Sequence, residues 1–174
     1  MQALPQLGFV EAVKLASGRI LDFKGRSRRS EFWWWIPIIL IANWVLSSFT
    51  SNLLINGIIS TIVMFFGLSA TARRLQDADK SAWWVYISYA LGIANAVMTG
   101  TSPAINKLVE ETSSGSFDPD AVMKIWGGNA GDMLLYTLIS FLFGISALIV
   151  LILCLKDSEP QTTEFGDSPK YVDE

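Results

Sequence analysis

One run of the sequence, residues 32–72, contains 41 consecutive positions without an Asp, Glu, Lys or Arg. A helix that crosses roughly 30 Å of hydrocarbon needs about 20 apolar residues, since each residue rises ~1.5 Å. Because the run is about twice that long, we expect it to turn back and cross as two antiparallel helices. Residues 81–106 and 133–155 form two further uncharged stretches, each long enough for one helix. The sequence therefore predicts an all-α, polytopic transmembrane bundle of four spans.

The predicted spans divide the 174 residues into three parts. The spans lie at about residues 33–50, 53–70, 82–98 and 134–155. The parts are a cytoplasmic amphipathic and basic segment (1–32), a four-helix transmembrane domain with an external loop at 99–132 (33–155), and a cytoplasmic tail (156–174).

The segments between and after the spans differ in polarity. A tight turn is predicted at about residues 51–56 and a short charged loop at 73–80. Within the external loop, residues 103–111 and 120–126 have weaker helical patterns. The polar tail contains two prolines and a glycine, which favour an extended or disordered chain.

The N-terminal residues 6–16 carry apolar side chains at helical spacing. Phe9, Val13 and Ala16 fall on one face, and Ile20 continues the same stripe. This pattern predicts a short amphipathic helix that lies in the membrane interface, ending near Gly18. The alternative is a poorly ordered terminus.

The distribution of Lys and Arg predicts the orientation. Nine of the thirteen lie in the N-terminal segment and in the 73–80 loop, whereas the 99–132 loop has two, against five acidic residues. Short cytoplasmic loops collect Lys and Arg, so we expect both termini in the cytoplasm. An even number of spans agrees with that expectation.

Several kinds of chemistry have no support in this sequence. The net charge of −3 argues against a nucleic-acid partner, and histidine, the commonest metal ligand, is absent. The single cysteine, Cys154, lies within a span, where a reactive thiolate is disfavoured. No nucleophile–base pair, phosphate-binding loop or metal-site motif is present. We therefore expect no enzymatic activity, no metal and no cofactor.

The predicted spans contain no ionisable residue away from their ends, which disfavours a proton relay or ion-coupled transport. Asn43 and Asn95 are expected to form hydrogen bonds between helices. Small residues recur every four positions in the third and fourth spans: Ser88, Gly92 and Ala96, then Ser140 and Gly144. This spacing lets helix backbones approach closely, so we expect these two spans to pack together or against a second copy.

The cytoplasmic ends of the first two spans carry the densest charge. Because the two spans are antiparallel, the arginines before the first and after the second should lie close together. Two interpretations are open: a site for lipid phosphate or a partner protein, or topology-fixing arginines with local ion pairs. The candidate binding residues are Arg26, Arg28, Arg29, Glu31, Arg73, Arg74 and Asp77, together with Trp33, Trp83 and Trp84.

Three segments carry a family resemblance: DFKGRSRRSEFWWW, ARRLQDADKSAWWVY and EFGDSPKY. They resemble, in order, the motifs of the uncharacterised bacterial inner-membrane family called domain of unknown function 805. The matching residues are Phe23, Gly25, Arg26, Arg28, Glu31, Phe32, Trp33, Arg73, Arg74, Leu75, Asp77, Ser81, Trp83, Trp84, Gly166 and Pro169. The resemblance implies a membrane protein but no biochemical activity, because none is established for the family.

The sequence departs from that family pattern at two positions, Gln76 in place of the usual His and Ala82 in place of a common Gly. Both Arg-rich motifs map to the same cytoplasmic face. We therefore expect Arg26 or Arg28 to pair with Asp77. We also expect Arg73 or Arg74 to pair with Glu31, so that the two loops are joined.

The leading functional hypothesis is a small scaffold or regulatory module. Its cytoplasmic Arg/Trp face would bind anionic lipid of the bilayer, or another membrane protein, with a homo-oligomer as a further possibility. The alternative is a component of an oligomeric channel or transporter, since four short spans leave little room for a pore within one chain.

Overall fold

The computed structural model describes residues 2–113 and 118–172. The predicted external loop at 99–132 therefore includes four residues, 114–117, that lie outside the described part, as do the last two residues of the tail. The helices are α1 (Phe9–Gly18), α2 (Arg29–Ser47), α3 (Leu53–Asp77), α4 (Trp83–Thr101), α5 (Pro103–Ser113), α6 (Pro119–Gly128) and α7 (Ala130–Leu155). Two short strands, β1 (Gln2–Ala3) and β2 (Tyr171–Val172), pair antiparallel.

Four long helices form the body of the fold in the order α2, α3, α4, α7. Extensive contacts join α2 to α3, α3 to α4 and α4 to α7, whereas α2 and α7 barely contact each other. Among the described helices, α3 and α7 are long and apolar enough to cross a membrane. The other two, α2 and α4, have 19 residues each and carry Trp near their first turns, joined in α4 by Tyr86.

The outer surface of these helices is apolar. Large side chains such as Trp44, Ile62 and Phe141 are more than half exposed to the surroundings of the chain. The most deeply buried large side chains instead include two arginines and an aspartate. A soluble domain distributes these groups the other way round, because charged side chains are almost never fully buried unless they are paired.

Helix α3 is longer than the sequence analysis predicted. Its N-terminus is capped by Asn52, whose side chain accepts a hydrogen bond from the Ile55 amide at 3.0 Å. The helix then continues past residue 70 to Asp77, so the predicted charged loop at 73–80 is wrong in its first half. The arginines remain in the helix because other segments of the chain supply acceptors for their side chains, as described below.

The predicted helical patterns in the external loop are confirmed as α5 and α6. For the tail, the extended alternative of the prediction is confirmed, since the described residues 156–172 contain a short strand and no helix. The tail folds back, and its strand β2 pairs with β1 while the Leu4 amide donates to the Lys170 carbonyl at 2.8 Å. Both chain ends therefore lie on the same face.

Close packing joins α4 to both of its neighbours. A methyl group on Gly92 would lie 3.2 Å from the Phe143 ring of α7, and one on Gly57 would lie 3.2 Å from the Ala96 carbonyl. The Asn95 amide donates to Ser140 Oγ across the α4–α7 interface, which confirms the hydrogen bond predicted for it. Asn43 differs, since its Oδ1 is buried and accepts no hydrogen bond from the described residues.

Helix α1 packs against α2 through a face that the sequence identified only in part. Ala12 and Ala16 are its buried residues. Val13 and Ile20 pack against the same apolar cluster as Ala16, but Phe9 is half exposed and meets the Trp34 ring edge-on at 5.4 Å. Small side chains on the buried face let α1 lie close to α2.

Candidate functional site

The carboxylate of Asp77, at the last residue of α3, is the centre of a buried polar network. Arg26 Nε donates to its Oδ1 at 3.1 Å, and Arg74 Nη1 and Ser158 Oγ both donate to its Oδ2. The side chains of Arg74 and Asp77 are fully buried. Three chain segments far apart in sequence therefore meet on one carboxylate.

The same arginine, Arg26, also binds the C-terminal tail. Its Nη1 donates to the carbonyls of Gln161 at 2.9 Å and Gly166 at 3.3 Å, and its Nη2 donates to the Glu159 carbonyl. The Glu159 amide in turn donates to the Asp77 carbonyl at 2.9 Å. These contacts explain why a polar tail without an apolar core of its own is nevertheless ordered.

Arg73 and Arg74, which are adjacent in α3, bind the N-terminal segment and the end of α7. Arg73 Nη2 donates to Glu31 Oε1 at 3.2 Å, and Arg73 Nη1 donates to the carbonyls of Arg19 and Asp22. From the next position, Arg74 donates to the Cys154 carbonyl at 3.1 Å and to the Lys156 carbonyl. The two adjacent arginines thus reach different segments of the chain.

These contacts confirm the predicted pairing of the two Arg-rich motifs and resolve its alternatives. The partner of Asp77 is Arg26 rather than Arg28, and the partner of Glu31 is Arg73 rather than Arg74. We call Arg26, Glu31, Arg73, Arg74 and Asp77 the buried network. Most of its polar atoms are engaged within the chain, although Arg73 Nε is buried without a hydrogen-bond partner among the described residues.

Buried ion pairs are costly to desolvate, so they are weak evidence of stability in themselves. Their effect here is to define which segments meet, because carbonyls from both ends of the chain are needed to satisfy the guanidinium donors. The arrangement leaves few donors for an external ligand. The buried network is therefore suited to holding the structure together rather than to binding.

Two glycines of the family motifs are required by the backbone. Gly25, next to Arg26, has φ +89° and Gly166, which accepts from Arg26, has φ +111°. Side chains other than glycine rarely adopt such angles. Gly25 allows the chain to turn just before Arg26. Gly166 allows it to turn where its own carbonyl accepts a hydrogen bond from Arg26.

A different set of residues forms an open pocket beside α2, which we call the cationic pocket. Its volume is about 410 Å³. Its wall consists of Leu4, Pro5, Gln6, Arg28, Arg29, Ser30, Trp33, Trp34, Asp157 and Lys170. Both chain ends and the first turn of α2 contribute to it.

The charged groups of the cationic pocket differ in how far they are engaged. Lys170 Nζ lies 2.7–2.8 Å from the two Asp157 oxygens. The hydrogen bond between them lowers the pKa of the Asp157 carboxyl and raises that of the Lys170 ammonium. Arg28 donates to the carbonyls of Pro169 and Pro5. Arg29 is exposed, with no hydrogen bond or ion pair to the described residues.

The candidate residues from the sequence therefore fall into three places. Five form the buried network, and Arg28, Arg29 and Trp33 line the cationic pocket. Trp83 and Trp84, at the start of α4, are exposed. Trp83 lines another pocket, of about 470 Å³, together with Gln76, Lys80 and Glu164.

Sequence reasoning missed the contribution of the tail. Ser158 binds Asp77 directly, and Lys170 completes the cationic pocket. The family motif containing Gly166 and Pro169 was the available signal, because both of their carbonyls accept from arginines of the first motif. Nothing in a polar tail indicates by itself which backbone carbonyls will be used.

Comparison with known proteins supports the resemblance seen in the sequence. The family described as "Protein of unknown function (DUF805)" matches residues 20–167, a range that contains both Arg-rich motifs and Gly166. The chain belongs to this family. The match begins just before Phe23, so α1 lies outside it.

Two curated relatives are similar to part of this DUF805 protein. Both carry the name "Inner membrane protein YhaH", one from Escherichia coli K12 and the other from Escherichia coli O157:H7. Each is 31% identical over 76 residues, a match that covers 38% of this chain and 63% of the relative. The chain thus spans less than two thirds of the curated relatives it matches. No solved structure matches it.

Proposed function

We propose that this protein is a non-enzymatic, four-span module of the bacterial inner membrane that binds an anionic phospholipid at its cytoplasmic face. The phosphate lies in the cationic pocket. The observation that carries the proposal is the exposed Arg29, which forms no ion pair with the described residues and lies beside Trp33 and Trp34 at the start of an apolar helix.

Four spans account for the outer surface of the helices. α3 and α7 have the length and composition needed to cross a bilayer. With 19 residues each, α2 and α4 reach about 28 Å at ~1.5 Å per residue, close to the roughly 30 Å of the hydrocarbon. Exposed apolar side chains on all four helices suit a lipid environment. The curated relatives are named inner membrane proteins.

A cytoplasmic location of both termini fits the position of the charges. With four spans, the buried network and both chain ends lie on the side that carries most of the Lys and Arg. Helix α1 would then lie in the inner interface, with exposed Phe9 and Val10 available to the lipid. The α5–α6 segment, which carries five acidic residues with its flanks, would face the periplasm.

The cationic pocket has the groups that a lipid phosphate requires. A guanidinium can bind two phosphate oxygens at once, and indole rings favour the level of the headgroups. Arg29 is the first residue of α2, so the positive end of the helix dipole adds to its charge. With Arg28, Arg29 and Lys170 against Asp157, the pocket has a net charge of +2.

Native mass spectrometry of the full chain, released from nanodiscs with equal amounts of phosphatidylglycerol and phosphatidylcholine, tests the proposal. We expect preferential retention of phosphatidylglycerol by the wild type and loss of that preference in Arg29→Gln. Lys124→Gln, which removes an exposed cation from α6, is the matched control and should keep the preference. Equal retention of the two lipids by the wild type would contradict the proposal.

A further inference from the structure

A second cavity lies inside the bundle and is not part of the cationic pocket. Its volume is about 550 Å³, within the range of about 300–1,000 Å³ that is usual for small-molecule sites. Side chains of all four long helices line it, among them Phe32 and Ile36 of α2, Val85 of α4, and Ala147 and Cys154 of α7.

The lining of this cavity is almost wholly apolar and carries no charge. Two of the five hydroxyl-bearing residues in the lining bind backbone carbonyls within the chain. Tyr89 donates to the Thr61 carbonyl at 2.6 Å, and Thr71 donates to the Gly67 carbonyl at 2.8 Å. A polar substrate would find few partners here, so the cavity is suited to a hydrocarbon.

The cavity extends over about half the thickness of a bilayer. Along α7 it runs from Cys154 to Phe143, eleven residues or about 16 Å at ~1.5 Å per residue. Half of the roughly 30 Å hydrocarbon core is about 15 Å, the depth of a single leaflet. With Cys154 next to the cytoplasmic end of α7, the cavity begins at the inner interface and ends near the midplane.

The cavity has an opening to the side. Since α2 and α7 barely contact each other, the arc of four helices is not closed between them. Leu40 of α2 and Leu151 of α7 line the cavity and are 52% and 46% exposed, as expected at the rim of an opening. A lipid of the inner leaflet could therefore place one chain inside without leaving the membrane.

The cavity and the cationic pocket meet at one side chain. Trp33 lines the cationic pocket and also packs against the cluster of Phe32, Val85 and Cys154, which lines the cavity. Arg29 lies one helical turn before Trp33 on the same face of α2. A headgroup bound at Arg29 thus sits above the entrance of the cavity.

From this continuity we propose that the cavity holds one acyl chain of the phospholipid whose phosphate binds the cationic pocket. The inference rests on the proposed headgroup site and defines its ligand further. The ligand is a diacyl anionic phospholipid of the inner leaflet, held individually between α2 and α7. The second chain remains in the bilayer along the exposed outer surface.

Filling the cavity tests this inference. Ala147→Phe places a ring inside it, whereas Leu148→Phe enlarges a neighbouring side chain that points outward and is 56% exposed. In native mass spectrometry with phosphatidylglycerol, we expect Ala147→Phe to retain at least about fivefold less lipid, because overpacking of about 1–3 kcal/mol opposes the chain. Leu148→Phe should stay within about twofold of the wild type.

The outcomes separate this inference from the proposed function. If Ala147→Phe retains phosphatidylglycerol like the wild type while Arg29→Gln loses it, the acyl-chain site is overturned and the headgroup site stands. If Arg29→Gln keeps its preference for phosphatidylglycerol, the headgroup site is overturned. Ser88→Leu fills the cavity from α4 and repeats the test with a smaller change should Ala147→Phe fail to fold.

Discussion

The arginines of the first motif occupy two contrasting environments within four residues of sequence. Arg26 is buried and donates to an aspartate and to four backbone carbonyls, whereas Arg29 is exposed and unpaired within the described residues. The first belongs to the buried network and the second to the cationic pocket. The difference is whether the fold supplies acceptors to a guanidinium.

This contrast separates structural from binding roles better than charge or motif membership does. A guanidinium has five N–H donors in a fixed geometry, and an engaged donor is not free for a phosphate. The buried network and the cationic pocket lie at the same end of the helix bundle, where α2 begins and α3 ends. We therefore expect substitutions in the buried network to alter stability and substitutions in the cationic pocket to alter binding.

The largest effect is expected at the centre of the buried network. Asp77→Asn leaves Arg26 and Arg74 without their carboxylate, and breaking a buried pair costs about 3–5 kcal/mol. Denaturant-induced unfolding in micelles, followed by tryptophan fluorescence, measures the loss. Asp79→Asn is the matched control, since Asp79 is exposed and asparagine tolerates its positive φ of 53°. Equal stability of the two variants would contradict a structural role for Asp77.

A smaller loss of stability is expected at Glu31, the second carboxylate of the buried network. Glu31→Gln removes one carboxylate, but Arg73 keeps the carbonyls of Arg19 and Asp22. A hydrogen bond to a charged group contributes about 1.5–3 kcal/mol, so we expect a loss in that range. The same unfolding experiment applies, with a double-mutant cycle that adds Arg73→Lys to isolate the pair. Additive losses in the cycle would show that the two side chains are not coupled.

Arg29→Gln should weaken lipid binding and leave the stability of the protein nearly unchanged. An exposed, unpaired side chain contributes little to folding, so the free energy of unfolding should change by less than about 0.5 kcal/mol. Affinity for phosphatidylglycerol should fall about fivefold, since a cation near an anionic membrane contributes about 1 kcal/mol. Lipid titration in nanodiscs measures the affinity. Loss of stability without loss of affinity would place Arg29 with the buried network.

The smallest effect concerns the ion pair at the rim of the cationic pocket. The pKa of Asp157 is lowered by Lys170, so its contribution is present above the ordinary carboxyl pKa of about 4 and lost as pH falls below it. The pKa of Lys170 is raised by Asp157, so its contribution is lost only above about pH 10. Because both groups are partly exposed, less than about 1 kcal/mol is involved.

Hydrogen exchange of the Leu4 amide, which donates to the Lys170 carbonyl, reports on this pair. After correction for the intrinsic pH dependence of exchange, protection should decrease as pH falls below about 4 in the wild type. Asp157→Asn should have the lower protection at neutral pH and no such transition. A transition of the same size in both proteins would assign it to another group.

Much of the fold could be predicted because the pattern of apolar residues is unambiguous. Uncharged runs identified the four long helices, and Arg–carboxylate complementarity across antiparallel helices identified the pairs Arg26–Asp77 and Arg73–Glu31. The end of α3 was not predictable in the same way. Arg73 and Arg74 resemble a loop in sequence, but in the fold their side chains find carboxylates and the carbonyls of distant segments while the backbone stays helical.

The part of the site that depends on the tail was also beyond the sequence. Lys170 and Ser158 reach the face because Arg26 and Arg28 bind carbonyls of the tail, and backbone carbonyls are identical at every position. The different environments of Arg26 and Arg29 have the same cause, because backbone carbonyls of the tail reach Arg26. Sequence placed both on the cytoplasmic face but could not show which one would meet acceptors.

The contacts of Arg26 and Arg74 determine when the buried network can form during synthesis of the chain. Apart from the Asp77 carbonyl, their carbonyl partners lie at residues 154–166, at least 80 positions after Arg74 in the sequence. Until these residues are synthesised, Arg26 and Arg74 lack most of their acceptors and Asp77 lacks the Ser158 donor. A product that stops before residue 159 would keep this defect permanently. This end of the helix bundle can therefore close only after residues 154–166 have been synthesised.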